Sequence, residues 1–237
     1  MRLLVTRPRY AATSIAAALS ARGHTAMVAP VMEIRIRDGE PLILDGIQAI
    51  LATSANGIRA LTHRLARRDL PVYAVGPQTL EAARESGFHR VHSANGDAAA
   101  LAEKVVADLD PDGGALFHAA GADTAGRLRE TLRAQHFEVE SKVLYDAVPE
   151  SKLPETAETA LREKLLDGVL LFSPRTGKIF CNLITEAGLA ESCAPLQAFC
   201  ISAATAAALG SLEFARVAVA GHPNQEAMLA LFPAEKA

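Results

Sequence analysis

The sequence is poor in the features that mark several large classes of protein. It has no tryptophan, and aromatic residues make up 5% of its 237 residues. No apolar run approaches the length of a membrane-spanning helix. The short apolar run near the start is too brief for a secretory signal and is followed directly by Arg7 and Pro8. These absences predict a cytoplasmic protein without a membrane segment.

The net charge is small, and cysteine and known nucleotide or hydrolase motifs are scarce. The formal net charge is −3, so no overall field attracts nucleic acid, and we expect no nucleic-acid partner. Cys181, Cys193 and Cys200 show no CxxC spacing, which favours buried reduced thiols over a disulfide framework or a metal site. GxGxxG, GxxxxGK[ST], GxSxG and HExxH are missing, and the histidines show no ligand spacing.

What is present is a segment that occurs twice. Each copy has a short apolar strand, a tight turn and an alanine-rich helix, and Thr79 in the first copy corresponds to Thr205 in the second. The copies cover 72–88 and 198–214, with the sequences VYAVGPQTLEAARESGF and AFCISAATAAALGSLEF. Two helix starts built alike predict two similar sites facing one ligand.

Strands and helices are predicted to alternate along the whole chain. Predicted strands cover 3–6, 24–29, 47–52, 72–75, 115–119, 137–145 and 168–172, and predicted helices cover 10–22, 55 to about 67, 78–86, 98 to about 109, 124–135 and a segment from 174 to about 188. Residues 31–37 alternate apolar and polar, which predicts an exposed ribbon strand, and 149–155 is a predicted linker. This order predicts an α/β fold with parallel sheets covered by helices on both faces.

The second half repeats the order of the first. Leu4-Val5-Thr6 corresponds to Phe117-His118-Ala119, and Leu51-Ala52-Thr53-Ser54 corresponds to Leu170-Leu171-Phe172-Ser173. The sequence therefore predicts two similar parallel-sheet domains flanked by helices. Ligands of such sheets lie at the carboxyl ends of the strands.

The predicted strand ends carry hydroxyls, glycines and the free N–H groups of helix starts. Such groups bind anions, because a helix N-terminus presents unpaired donors and the positive end of the helix dipole. Each serine or threonine has a plainer role as a helix cap, and for any one of them that role is the default. The candidate binding residues are Arg7, Ser54, Asn56, Gly76, Gln78, Thr79, Ser173, Arg175, Ser202 and Thr205.

With these residues in place, the chain resembles the uroporphyrinogen-III synthase family. The matching phrases are LLVTRP, ILATSANGIRAL, VYAVGPQTLEAARESGF with SANGDAAALAE, GRLRETLRAQHFEVESKVLYDAVP, LLFSPRTGKIF, and CISAATAAAL before VAVAGHPNQEAM. They keep their order over nearly the whole chain. The chain departs from the family pattern at Ile201–Ala204, where glycine-proline is common, and at Ala120, where a basic residue is common.

The resemblance implies two α/β domains joined by a two-stranded antiparallel ribbon. One domain is expected to combine 1–32 with 149–237, and the other to comprise 36–144. The ribbon is expected at about 31–37 and 143–149.

The resemblance also implies an activity. The family cyclises hydroxymethylbilane to uroporphyrinogen III in tetrapyrrole (haem) biosynthesis, with loss of water and inversion of ring D, and needs neither metal nor organic cofactor. Tyr145 matches the family's ribbon tyrosine and is the candidate to assist departure of the hydroxyl; the alternative is a tyrosine that only packs. A monomer that receives its substrate from hydroxymethylbilane synthase is expected.

Two alternatives remain open from sequence. One is a non-catalytic, two-lobed binding or sensor protein for a small polycarboxylate, which would share the anion-binding helix starts. The other is an inactive regulatory relative of the synthase, which the departures at Ile201–Ala204 and Ala120 make conceivable. Isomer analysis of the product made from hydroxymethylbilane separates both from an active enzyme.

Overall fold

The structure, a computed structural model, describes residues 1–122 and 127–232. Its contacts divide the chain into two compact units. Unit 1 comprises Met1–Glu33 and Val148–Ala237, and unit 2 comprises Ile34–Ala147. The chain passes from unit 1 to unit 2 and back again, so unit 1 is built from two separate segments.

Strands and helices alternate as the sequence predicts. The strands are β1 Arg2–Val5, β2 Thr25–Val28, β3 Met32–Ile36, β4 Ile47–Ala52, β5 Val72–Ala74, β6 Val91–Ser93, β7 Ala115–Gly121, β8 Val139–Pro149, β9 Gly168–Leu171, β10 Gln197–Cys200 and β11 Arg216–Val219. The helices are α1 Arg9–Ser20, α2 Ala55–Thr62, α3 Pro77–Glu85, α4 Ala98–Asp108, α5 Arg127–Arg133, α6 Glu155–Arg162, α7 Pro174–Glu186, α8 Ala190–Cys193, α9 Ala203–Ala207 and α10 Gln225–Leu229, with a 3-10 turn at Pro111–Gly113.

Unit 1 is built on a five-stranded sheet in the order β11-β10-β9-β1-β2, in which all neighbours are parallel. Leu3 and Val5 on one face and Leu4 on the other are completely buried, because each face of the sheet has its own hydrophobic cluster. A strand that is apolar on both faces is the pattern expected of a parallel sheet covered by helices.

Unit 2 contains a six-stranded sheet in the order β3-β8-β7-β4-β5-β6, whose neighbours from β8 to β6 are parallel. Strand β3 runs antiparallel to β8: Val31 O accepts from Glu150 N at 3.0 Å, and Arg37 N donates to Leu144 O at 2.8 Å. The Arg37 guanidinium also donates to both carboxylate oxygens of Asp146 at 2.7 Å, which lowers the pKa of that carboxyl. The predicted α/β fold with two parallel sheets is confirmed.

Several predicted boundaries are wrong. Helix α2 ends at Thr62 rather than near Arg67, because the following loop turns to bury Leu65 and Leu70. Strand β8 continues to Pro149, beyond the predicted strand 137–145 and through the segment 143–149 expected for the ribbon, because β3 pairs with it there.

Three helices and two strands have no counterpart among the predicted elements, and one helix start cannot be compared. Helices α6, α8 and α10 and strands β6 and β11 are short segments to which the sequence analysis assigns no element. The predicted start of a helix at Thr124 lies outside the described residues, which give α5 from Arg127. None of the helices in the described part of the chain is long and apolar enough to cross a bilayer.

Helix ends follow the predicted capping chemistry. The carboxylate of Asp97 accepts from Ala99 N and Ala100 N at 2.9 and 3.1 Å, which begins α4 as expected. Gly87 and Gly188, which follow α3 and α7, have φ of +89° and +66°. This left-handed conformation favours glycine and ends both helices where the sequence predicts.

Candidate functional site

The predicted binding residues fall into two groups, one in each unit. In unit 1, the strands β1, β9 and β10 are neighbours in the sheet. Just beyond their ends lie Arg7, Ser173 and Ser202, respectively. We call the unit 1 array the set Arg7, Ser173, Arg175, Ser202 and Thr205. We call the unit 2 array the set Ser54, Asn56, Gly76, Gln78, Thr79 and Tyr145, which lie at the carboxyl ends of β4 and β5 or on β8.

Arg7 in the unit 1 array is held in place by two neighbours. Its Cζ lies 4.5 Å from the centre of the Phe172 ring, and its Nη1 donates to Oε1 of Gln225 at 3.3 Å. Gln225 is the first residue of α10 and was not among the predicted site residues. The stacking and the hydrogen bond restrict a flexible side chain, so the positive charge is fixed near the end of β1.

Ser173 begins α7 with a complete capping box. Its Oγ accepts from Thr176 N at 3.1 Å, and Thr176 Oγ1 accepts from Ser173 N at 3.1 Å. Arg175, one residue into the helix, is exposed. Ser173 therefore acts as a helix cap in this structure, and Arg175 lies at the same helix start.

The helix start in the second copy of the repeated segment is also capped by its own side chains. Ser202 Oγ accepts from Thr205 N at 3.3 Å and lies 3.0 Å from Thr205 Oγ1. Thr205 is completely buried, and Ser202 is half-buried. At this turn the hydroxyl of Ser202 is the accessible side-chain group, and Thr205 shapes the turn beneath it.

The start of α2 lies close against β7 in unit 2. Ser54 Oγ accepts from Asn56 N at 3.1 Å, so Ser54 caps the helix and Asn56 stands at its first turn. A Cβ at Gly57 would lie 2.5 Å from Ala119 O. Only glycine permits this approach, which brings the helix start to the neighbouring strand.

The first copy of the repeated segment has an open helix start. Gly76 occupies the cap position and Pro77 the first helical position, so neither supplies a capping side chain. Thr79 is 4% exposed, and its hydroxyl makes no hydrogen bond to any residue of 1–122 or 127–232. Gln78, beside it, is exposed. Thr79 N and Leu80 N both donate to Gly76 O, at 3.1 and 3.0 Å, so this helix start is closed by its backbone and is open only in lacking a capping side chain.

Tyr145 lies on β8 next to the end of β7. Its register partner in β7 is Gly121, and its ring is nearly buried, with 6% of its surface exposed. The hydroxyl end of the ring lies against Gly121. The structure thus places a phenol at the carboxyl end of β7, two strands from the open start of α3.

A polar cluster that sequence reasoning missed lies behind the unit 2 array. His118 on β7 is completely buried; its Nε2 lies 3.4 Å from Thr53 Oγ1, and its Nδ1 lies 3.5 Å from Ser141 Oγ. Burial lowers the pKa of His118 to about 4, so the imidazole is neutral at physiological pH. Only the order of the strands in the sheet brings these residues together.

The three cysteines are free thiols in unit 1. Cys193 and Cys200 are buried as predicted, whereas Cys181 is half-buried and donates to Leu209 O at 3.2 Å. Burial raises the pKa of these thiols to about 11 for Cys181 and Cys200 and about 12 for Cys193, which keeps them protonated and unreactive. In the described ranges no three histidine, cysteine or acidic residues form a group that could hold a metal ion.

Comparison with protein families tests the resemblance inferred from the sequence. The family model described as uroporphyrinogen-III synthase HemD matches residues 13–230. The chain belongs to this family. The resemblance inferred from sequence is therefore confirmed, and the chain is a member of a family of lyases that act in tetrapyrrole biosynthesis. Nothing favours the non-catalytic binding protein.

Solved structures agree with the fold of this uroporphyrinogen-III synthase family member. Uroporphyrinogen-III synthetase from Helicobacter pylori is 17% identical, with 98% of each chain covered and a TM-score of 0.64. A mutant uroporphyrinogen III synthase from Thermus thermophilus is also 17% identical, with 98% of this chain and 97% of that chain covered and a TM-score of 0.53. At this identity the likeness shows a shared fold. No curated protein sequence matches the chain at a significant level.

Proposed function

We propose that this uroporphyrinogen-III synthase family member cyclises hydroxymethylbilane with Tyr145 as the group that assists departure of the hydroxyl. The observation that carries the proposal is the position of Tyr145, whose phenol lies at the carboxyl end of β7 within the unit 2 array. Parallel α/β sheets bind their ligands at this edge.

The chemistry required of the protein is modest. The C–O bond of the terminal hydroxymethyl group breaks, driven by the pyrrole nitrogen, and the oxygen leaves as water after taking a proton. A phenol is a weak acid that carries a proton it can donate to the departing hydroxyl. A positioned general acid is worth about 10²–10⁴ in rate, so Tyr145 is expected to contribute mainly to kcat.

The two arrays are proposed to bind carboxylates of the substrate. In the unit 2 array the start of α3, which lacks a capping side chain, supplies the Thr79 hydroxyl, with Ser54, Asn56, Gly76 and Gln78 around it. In the unit 1 array Arg7 and Arg175 supply positive charge, and Ser173 and Ser202 supply hydroxyls at helix starts. Thr205 is proposed to keep the turn at Ser202 in shape.

The remaining proposals concern organisation and setting. We propose that the two units correspond to two domains, 1–32 with 149–237 and 36–144, joined by a ribbon at about 31–37 and 143–149. The division of contacts and the pairing of β3 with β8 support this. We further propose that the protein is a cytoplasmic monomer that receives hydroxymethylbilane from hydroxymethylbilane synthase.

Isomer analysis tests the proposed activity. Freshly prepared hydroxymethylbilane is incubated with the protein, the product is oxidised, and uroporphyrin I and III are separated. We expect isomer III in proportion to enzyme concentration, against a control of heat-denatured protein that yields isomer I. Isomer I alone, the spontaneous product, would rule out the enzyme.

A further inference from the structure

The strand that carries Tyr145 has an irregular register beside β7. Between Leu116 and Ala120 the register of β7 with β8 is regular. It advances by one residue in each strand, from Leu116 opposite Val139 to Ala120 opposite Val143. The next pair is Gly121 opposite Tyr145, so Leu144 is an extra residue in β8. This is a β-bulge, with two residues of one strand facing one residue of its neighbour.

The bulge changes the direction of the Tyr145 side chain. In a regular strand, successive side chains point to opposite faces, so Leu144 and Tyr145 would be separated by the sheet. Instead both belong to the same hydrophobic cluster, with 0% and 6% of their surfaces exposed. The carbonyl of Leu144 accepts from Arg37 N just beyond β3, and the carbonyl of Tyr145 accepts from Ala122 N just beyond β7, which holds the bulge from both sides.

Gly121 supplies the space that the redirected ring occupies. A Cβ placed on Gly121 would lie 2.6 Å from Cζ, 2.8 Å from Oη and 3.0 Å from Cε2 of Tyr145. These distances are too short for any side chain, and the atoms concerned are the hydroxyl end of a rigid ring rather than a flexible tip. Any residue other than glycine at position 121 would therefore displace the phenol.

We infer that the Leu144 bulge and Gly121 together position the Tyr145 hydroxyl, which makes Gly121 a positioning residue for the cyclisation. The bulge directs the ring towards the end of β7. Because Gly121 has no side chain, the hydroxyl can lie against the backbone there. The inference rests on the proposed role of Tyr145 as the proton donor. A displacement of about 1 Å at a reacting group can cost about 100-fold in rate.

A double-mutant cycle on activity tests the inference. The four proteins are the parent, Gly121→Ala, Tyr145→Phe and the double variant, each assayed for kcat and KM with hydroxymethylbilane. We expect Gly121→Ala to lower kcat about 10- to 100-fold with little change in KM. In the Tyr145→Phe background the same alanine should change kcat less than about twofold, because the hydroxyl that it displaces is already gone.

Each result of the cycle has a distinct meaning. Equal losses from Gly121→Ala in both backgrounds, or a parent-like kcat in Gly121→Ala, would overturn the positioning role while leaving Tyr145 as the donor. A parent-like kcat in Tyr145→Phe would instead overturn the proposed function of Tyr145. Gly221→Ala is the matched control, because nothing lies within 4 Å of a Cβ at Gly221, and it should leave both constants unchanged.

A second cycle measures the same contact through stability. If the methyl group of Gly121→Ala meets only the Tyr145 ring, it should lower Tm in the parent but not in a Tyr145→Ala background, where the ring is absent. The double variant should then fold even if Gly121→Ala alone does not. An equal loss of Tm in both backgrounds would show that the alanine disturbs the backbone of β7 and would overturn the inference.

Discussion

The two copies of the repeated segment differ at the start of their helices. In the copy that begins α9, Ser202 accepts from Thr205 N and lies 3.0 Å from the Thr205 hydroxyl, so the turn satisfies itself. In the copy that begins α3, Gly76 takes the place of the capping serine, and the Thr79 hydroxyl has no partner among the described residues. One helix start is closed and the other is open.

This difference shows how a single capping residue changes what a helix start offers to a ligand. A serine cap stabilises the helix by occupying an N–H group, which is then unavailable for binding. With glycine at the same place, Thr79 N donates to the carbonyl of Gly76 at 3.1 Å, and no capping side chain engages the neighbouring Thr79 hydroxyl. We propose that the unit 2 array, which also contains Tyr145, provides contacts and chemistry, and that the unit 1 array contributes fixed charge through Arg7.

The largest expected effect concerns the phenol of the unit 2 array. Tyr145→Phe keeps the ring against Gly121 and removes only the proton donor. We expect kcat to fall about 10²–10⁴-fold with Tm unchanged. The residual product should still be isomer III, because inversion of ring D depends on how the substrate is held. A near-normal kcat would make Tyr145 a packing residue.

The charged residues of the unit 1 array should affect binding rather than chemistry. Arg7→Ala is expected to raise KM about tenfold and to make KM less sensitive to salt, with a modest effect on kcat. Arg175→Ala should act in the same direction but less strongly, because its side chain is exposed while Arg7 is held by Phe172 and Gln225. Steady-state kinetics at several salt concentrations measure both. A parent-like KM in both variants would mean that these arginines are solvated surface groups.

A smaller effect should appear as a difference between the two units in how their stability depends on pH. His118 in β7 corresponds in the repeat to Val5 in β1, which is also completely buried. The pKa of His118 falls from 6.5 to about 4 on burial, so the unfolded chain takes up a proton more readily. The stability of unit 2 should be complete above pH 6.5 and decline as the pH falls towards 4.

Hydrogen exchange measures this decline strand by strand. We expect exchange in β4, β7 and β8 to accelerate between pH 6.5 and 4 more than exchange in β1, after correction for intrinsic rates. In His118→Gln the difference between the units should largely disappear, since the buried group no longer titrates. An unchanged difference in that variant would show that another group causes it.

The sequence was sufficient to predict the elements whose signal is local. Two strands could be predicted because they are largely apolar and are followed by the start of a helix. They are Leu3–Val5 and Ile47–Ala52. The cap at Asp97 and the glycine stop at Gly87 were found for the same reason. The resemblance to the family rested on short phrases that keep their order along nearly the whole chain.

What could not be predicted depends on neighbours far away in the chain. The bulge at Leu144 exists only in the register between β8 and β7. The contact of Gln225 with Arg7 joins residues separated by 218 positions, and the buried cluster of His118 spans three strands. A capping role and a binding role use the same serine or threonine, so sequence alone could not show which helix start is open.

A matched pair of substitutions tests the difference between the two helix starts most directly. Thr79→Val and Thr205→Val remove the same hydroxyl from corresponding positions, and both variants are measured for KM with hydroxymethylbilane and for Tm. We expect Thr79→Val to raise KM about tenfold with Tm unchanged, and Thr205→Val to lower the free energy of unfolding by about 1 kcal/mol with KM unchanged. Equal effects of the two substitutions on KM would contradict the account.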